Sequence, residues 1–342
     1  MRKSLPILGL VALATAMSAQ AETIYVAGTG GSTEKTFKEK IIPAFKAKTG
    51  VDVVYVTGNS TDVLAKLQAQ KSRQEISFAM IDDGPMYQAV EQGLCARVEE
   101  AGSVKDLYPN ARMLGGKSVG VGFIATGLAY NKDIFAKNGW KAPVSWRDLT
   151  DPKYKQKVVI PPITNGYGLL TLVMMSRLNG GSEDKMDSGF EVMSKKVAPN
   201  VIAWEPSPGK MAQMLQTGEA ALVVWGNGRV QGVVDQGAPV EFVYPKEGGV
   251  ALMVAGCVVE GAPQPRLGQQ FLQHVLSPES QAALAADSGF GPANRTVKLD
   301  PELARRVVFG PEKVNALISP NYGIINARRS VWTQRWNREV ER

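Results

Sequence analysis

Five short stretches carry residues that could do chemistry. Gly28-Thr-Gly-Gly-Ser-Thr33 follows an apolar run, Ile81-Asp-Asp-Gly84 closes another, and Asn165-Gly-Tyr-Gly168 leads into a helical segment. Trp204-Glu-Pro-Ser-Pro208 and Trp225-Gly-Asn-Gly-Arg229 complete the set. The first invites a phosphate-loop reading, but it lacks the lysine of GxxxxGK[ST] and the spacing of GxGxxG. What remains is a bare turn: glycines that only make a tight strand-to-helix corner, or Gly30, Gly31 and Ser32 offering N–H groups and a hydroxyl to a ligand. Asp82 and Asp83 could hold a cation or an amine, or one of them could cap the helix that Pro85 opens. Asn165 could cap or bind, with Tyr167 beside it. Glu205 is a candidate amine contact, Trp225 a candidate cleft aromatic, Asn227 a further ligand-binding candidate, and Arg229 a guanidinium suited to a carboxylate or phosphonate, or else a surface arginine. No GxSxG, HExxH or Cys–His unit is present, and the single histidine, His274, lies mid-helix beside Phe271 and Leu272, as a structural residue would. No catalytic residue, metal ligand or cofactor is expected.

These stretches need elements to hold them. Short β-like runs alternate with helical segments, which is the pattern of an α/β fold with a largely parallel sheet. TIYVAG, VDVVYVTG and ISFAMIDDG read as strands. Between them, Phe37, Ile41, Ile42 and Phe45 share one face of a helix, and STDVLAKLQAQKSR forms another with Ser60 or Thr61 as its N-cap. In such sheets ligands lie at the carboxyl ends of strands, where helix N-termini offer unpaired N–H groups to anions.

The chain begins with Arg2 and Lys3, an apolar run over 5–16, and Ala19-Gln-Ala21. That order predicts a secretory signal cleaved after Ala21. Of 342 residues, about 320 would remain, enough for two domains. The net charge of +7 falls to +5 without the signal and is scattered, so no nucleic-acid footprint follows. Cys95 and Cys257 could form a disulfide in an exported protein or stay as two buried thiols.

The order of segments resembles the periplasmic solute-binding proteins of ABC importers, in the group of polyamine and iron(III) binders. IIPAFKAKTGVDVVYV, IDDGPMYQAVEQGL, GFIATGLAYNKDIF, SWRDLTDPKYKQKVVIPP, MAQMLQTGEAALVVWGNG and FLQHVLSPESQAALAADSGFGPANRTV carry the resemblance. It implies a two-lobed fold of mixed, mostly parallel sheets with helices on both faces, joined by two β crossovers as a hinge. The expected partition is 22–129 with 254–298 as lobe one, and 130–250 with 300–342 as lobe two plus C-terminal helices. It implies a periplasmic monomer that closes on a small solute and docks on an inner-membrane permease. Thr126 and Gly127, on the crossover, would reach the cleft, and Tyr322 its rim. The polyamine group grips ammonium ions with acidic residues beside its Trp-x-Gly motif. Here Gly226, Asn227, Gly228 and Arg229 follow Trp225, and none is acidic. No Tyr-Tyr pair occurs for iron(III). An organic anion or zwitterion is therefore the expected ligand. A polyamine is the alternative, and a periplasmic hydrolase with carboxylate catalysis is the alternative of another class.

Overall fold

A computed structural model describes residues 22–342; the expected signal segment lies outside them. Eleven strands form one continuous mixed sheet. They are β1 (Thr23–Gly28), β2 (Asp52–Thr57), β3 (Ile76–Asp82), β4 (Arg112–Met113), β5 (Ser118–Asn131) and β6 (Val158–Ile160). β7 (Val201–Trp204), β8 (Leu222–Gly226), β9 (Val240–Val243), β10 (Val250–Val258) and β11 (Gly291–Pro292) follow.

The order along the sheet is β2-β1-β3-β10-β5-β8-β6-β7. The two outer runs pair in parallel, β2-β1-β3 and β8-β6-β7, each strand returning through a helix. The centre is antiparallel, and β5 makes it so. Its first half pairs with β10, while its second half pairs with β8 on one edge and β9 on the other. All fourteen residues of β5 are buried. A run so rich in Ala, Gly, Val and Ile suits a strand covered on both faces. The two-lobed α/β fold implied by the resemblance is the fold observed, with β5 and β10 as the strands that pass from one half to the other.

The helix after β1 buries Phe37, Ile41 and Phe45, one turn apart, and leaves Ile42 half-buried. It carries a π turn over Phe37–Ile41. His274 packs on this helix: Nε2 lies 2.9 Å from the carbonyl oxygen of Ile41, against Phe45 and Phe271. Burial holds its pKa below the ordinary value. The cap of the helix Ser60–Ala69 is Asn59, one residue earlier than expected, and its N–H donates to Asp62 Oδ2 at 3.2 Å. The hydroxyl of Ser60 is used elsewhere. Cys95 and Cys257 are joined, with Cα atoms 5.7 Å apart, tying the loop after the helix Asp83–Glu91 to β10.

The C-terminal helix, Tyr322–Glu339, crosses from one half to the other. Trp336 is fully buried and meets Trp204 of β7 edge-on at 4.9 Å. At its start Tyr322 packs on Tyr87 at 5.6 Å, from the helix that follows β3. Among the described residues no helix is long and apolar enough to cross a membrane.

Candidate functional site

A cleft of about 450 Å³ opens where the carboxyl ends of β1, β3, β6, β7 and β8 converge. One wall is the turn after β1. Gly31 has φ +74°, a backbone conformation that side chains rarely adopt, and it caps the helix that starts at Ser32. A Cβ there would stand only 3.1 Å from Nη1 of Arg229, so the bare backbone also lets that guanidinium approach from the opposite wall. Asn59, Ser60 and Thr61 add the N-terminus of a second helix. Ser60 Oγ accepts the N–H of Asp82 at 3.1 Å, which ties this helix to the end of β3.

Asp82 and Asp83 divide the expected roles differently from a helix cap. Asp82 occupies the N-cap position, yet its side chain makes no capping hydrogen bond. It is partly exposed and faces the cleft. Burial raises its pKa, opposed by Ser60 and by the positive charges of Arg229 and Arg329. Asp83 is buried and tied into the frame. Its carboxylate accepts the N–H of Gly84 at 3.0 Å and of Met253 on β10 at 3.1 Å, and it bonds the Tyr322 hydroxyl. Burial pushes its carboxyl up to about 7 against those three donors.

The facing wall comes from the loop after β6, the loop after β7 and the end of β8. Asn165 Oδ1 accepts the N–H of Tyr167 at 2.9 Å, capping the helix Gly166–Leu178 at the cleft. The Tyr167 phenol lies in hydrogen-bonding reach of Arg229, and burial pushes it up to about 12, so it stays protonated and can donate. Trp225, only 3% exposed, is both core and cleft wall. Arg229 extends from the helix Asn227–Val234. Neither Arg229 nor Asp82 has an ion-pair partner within 4.0 Å among the described residues, where thirteen such pairs occur.

The fold thus brings Gly30, Gly31, Ser32, Asp82, Asn165, Tyr167, Trp225 and Arg229 to one cleft. It places four other candidates off its walls. Thr126 is enclosed between β8 and β10, its hydroxyl unpartnered. At Gly127 a Cβ would meet the carbonyl oxygen of Val243 at 2.6 Å, so this glycine lets β9 close on β5. Glu205 accepts the N–H of Ser207 at 2.8 Å and pairs with Lys210 at 3.0 Å, bracing the start of its own helix. Asn227 Oδ1 accepts the N–H of Ala125 at 3.0 Å and Nδ2 donates to the carbonyl oxygen of Arg306 at 3.3 Å, fastening a helix to β5.

The basic pair Arg328-Arg329 reads in the sequence as a solvated helix face, but Arg329 lines the cleft; Tyr322, expected at the rim, and Asp83 sit in its wall. Among the described residues no three His, Cys, Asp or Glu side chains are grouped to hold a metal.

A family profile, that of the bacterial extracellular solute-binding proteins, matches residues 40–309. The chain is 23% identical over 286 residues to the spermidine/putrescine-binding periplasmic protein of Salmonella typhimurium, covering 80% of this chain and 77% of that one. It is 24% identical over 349 residues to a provisionally named 2-aminoethylphosphonate-binding periplasmic protein of the same organism, covering 98% of each. The fold of the periplasmic binding protein AfuA from Actinobacillus pleuropneumoniae, solved with fructose-6-phosphate, superposes with a TM-score of 0.80 at 21% identity, over 94% of this chain and 99% of that one. An ABC transporter substrate-binding protein from Bradyrhizobium japonicum superposes at 0.78 with 23% identity, over 93% and 99%. The chain belongs to the bacterial extracellular solute-binding proteins and is the solute-binding component of an ABC transporter.

Proposed function

We propose that the solute is a small zwitterion, an acid carrying an amine a few bonds away, and that an aminoalkylphosphonate is its type. The observation that carries this reading is the pairing of charges across one cleft. The Arg229 guanidinium and the Asp82 carboxylate both face it, and neither is neutralised by an ion pair. Unpaired charges in a partly desolvated cleft are costly until a ligand supplies the opposite charge. The acid would lie toward Arg229, the Gly30–Ser32 turn and the helix N-terminus at Asn165, where N–H groups and a guanidinium converge. The amine would lie toward Asp82, with Tyr167 and Trp225 along the short alkyl link. A relative named for 2-aminoethylphosphonate, aligned over 98% of both chains, supports the same class.

A polyamine is the second reading, because other relatives are named for spermidine and putrescine. A diamine would place an ammonium against Arg229 with one carboxylate, Asp82, free to receive it. Like charges in such a site repel, and this reading ranks below the first.

The rest of the proposal is that the protein acts as a periplasmic monomer, cleaved after Ala21, that binds without turnover and binds no nucleic acid. Lobe one is taken as 22–129 with 254–298, lobe two as 130–250 with 300–342, and solute draws the lobes together for an inner-membrane permease. A thermal-shift panel of 2-aminoethylphosphonate, amino acids, putrescine and spermidine tests it. A shift with the zwitterions and none with the amines is expected; the reverse pattern would discard the zwitterion. The same samples, followed for loss of ligand, test the binding-only claim, and turnover would sink it.

A further inference from the structure

We propose that Arg329, on the C-terminal helix, is a second contact to the ligand's anionic group and selects a doubly charged tetrahedral head over a singly charged one. The proposal rests on the zwitterion reading above.

Arg329 enters the cleft from a part of the chain a hundred residues from any other segment of the anion side. Of its five donors, one hydrogen bond is satisfied: Nη2 donates to the carbonyl oxygen of Thr164 at 3.1 Å. No carboxylate lies within 4.0 Å of it among the described residues, although Asp82 and Asp83 are near enough to favour its charge. Burial works against that charge. The result is a guanidinium held in a cleft with most of its donors unspent.

Its position is built. A Cβ on residue 84 would stand 3.0 Å from Nη1, so Gly84 leaves the space that the guanidinium occupies. Two turns earlier on the same helical face, buried Tyr322 bonds the Asp83 carboxylate and packs on Tyr87. Between them Asn326 Nδ2 donates to the carbonyl oxygen of Gly84 at 3.4 Å, and its own Oδ1 is buried without a partner. At the far end Trp332 is buried and Trp336 packs on Trp204 of the other half. The helix is thus fixed at both ends, with Arg329 between. The bond to the Thr164 carbonyl sets Arg329 next to Asn165, the helix N-terminus assigned to the acid, and on this proposal its guanidinium fork and that of Arg229 address one group from different elements. A phosphonate, with three oxygens and two charges, can satisfy both forks, and a sulfonate of the same shape carries only one charge.

The test is calorimetric titration at pH 8, where a phosphonate is a dianion, using the unaltered chain, Arg329→Gln and Arg329→Lys. The two ligands are 2-aminoethylphosphonate and taurine, which match in shape and differ in charge. Arg329→Gln is expected to weaken the phosphonate about tenfold to a hundredfold, the effect of one charge-assisted contact, and taurine by less than about threefold. Arg329→Lys should restore part of the preference, and the ligand-free unfolding midpoint of each variant checks that it is folded at the temperature of the titration. Equal losses for both ligands, or none for either, would overturn the proposal while leaving the zwitterion reading intact. Failure of the unaltered chain to bind either acid would overturn both.

Discussion

At Arg229 the local chemistry is simplest. Its guanidinium meets Tyr167 and the bare Gly31 backbone, and has no ion pair to lose. Arg229→Gln should therefore leave ligand-free stability within about 0.5 kcal/mol, as for a change outside the packed core. It should weaken an acidic ligand by about 1.5–3 kcal/mol in a titration. Unaltered affinity would remove Arg229 from the site. Asp83 carries a pH dependence whose sign can be worked out. Its carboxyl loses a proton near the ordinary carboxylate value in the unfolded chain and near 7 in the folded one. Between those values the folded state holds the proton, so on Asp83's account stability falls as pH rises from about 4 to 7. Urea midpoints at pH 5 and 7.5 should show that fall in the unaltered chain and a flatter response in Asp83→Asn. Identical slopes would contradict it. Trp225 and Arg229 were legible because they flank the Gly-Asn-Gly corner between β8 and the helix that follows it. Glu205 looked like a free acid, but the Pro-Ser-Pro turn after it supplies a local N–H and Lys210 a local charge, so it is satisfied within its own turn. Thr126 and Asn227 show the same limit: strand register encloses Thr126, and distant partners on β5 and at Arg306 take up the Asn227 amide, neither of which is visible in sequence.

Among the elements, the strands β1, β2 and β3 and their helices were readable from alternating texture and Pro and Gly punctuation. The cap at Asn59 was displaced because Ser60 spends its hydroxyl on the N–H of Asp82, a contact 22 residues away. β5 is the element that local pattern described least. Its fourteen buried residues serve both halves in turn, and nothing within the run marks where the partner changes. The C-terminal helix was readable as a helix with Tyr322 at the cleft rim but not with Arg329 in the wall, since its partners Asp83, Gly84 and Thr164 lie far away in sequence. Its anchor is Trp336. Trp336→Ala should cost about 3–5 kcal/mol by cavity formation, read from urea unfolding. A loss under 1 kcal/mol would mean that the helix is not held there.

Over the whole molecule, two α/β halves share β5 and β10, and the cleft lies between their strand ends. The Cys95–Cys257 link spans 162 residues, about half of the chain. Reduction should remove up to about 4–5 kcal/mol by loop-closure entropy. Differential scanning with and without reductant should show a lower melting temperature on reduction; coincident curves would argue that the link contributes nothing. The family match and the cleft make the protein a capture device, and on the proposed reading Arg229 and Asp82 define what is captured. The most direct measurement is a calorimetric comparison of 2-aminoethylphosphonate with its two halves, ethylphosphonate and ethylamine, and with putrescine. Capture of a zwitterion between Arg229 and Asp82 predicts that the whole molecule binds at least about a hundredfold more tightly than either half, one charge-assisted contact being lost in each. Putrescine binding more tightly than the zwitterion, or ethylphosphonate binding equally well, would contradict it.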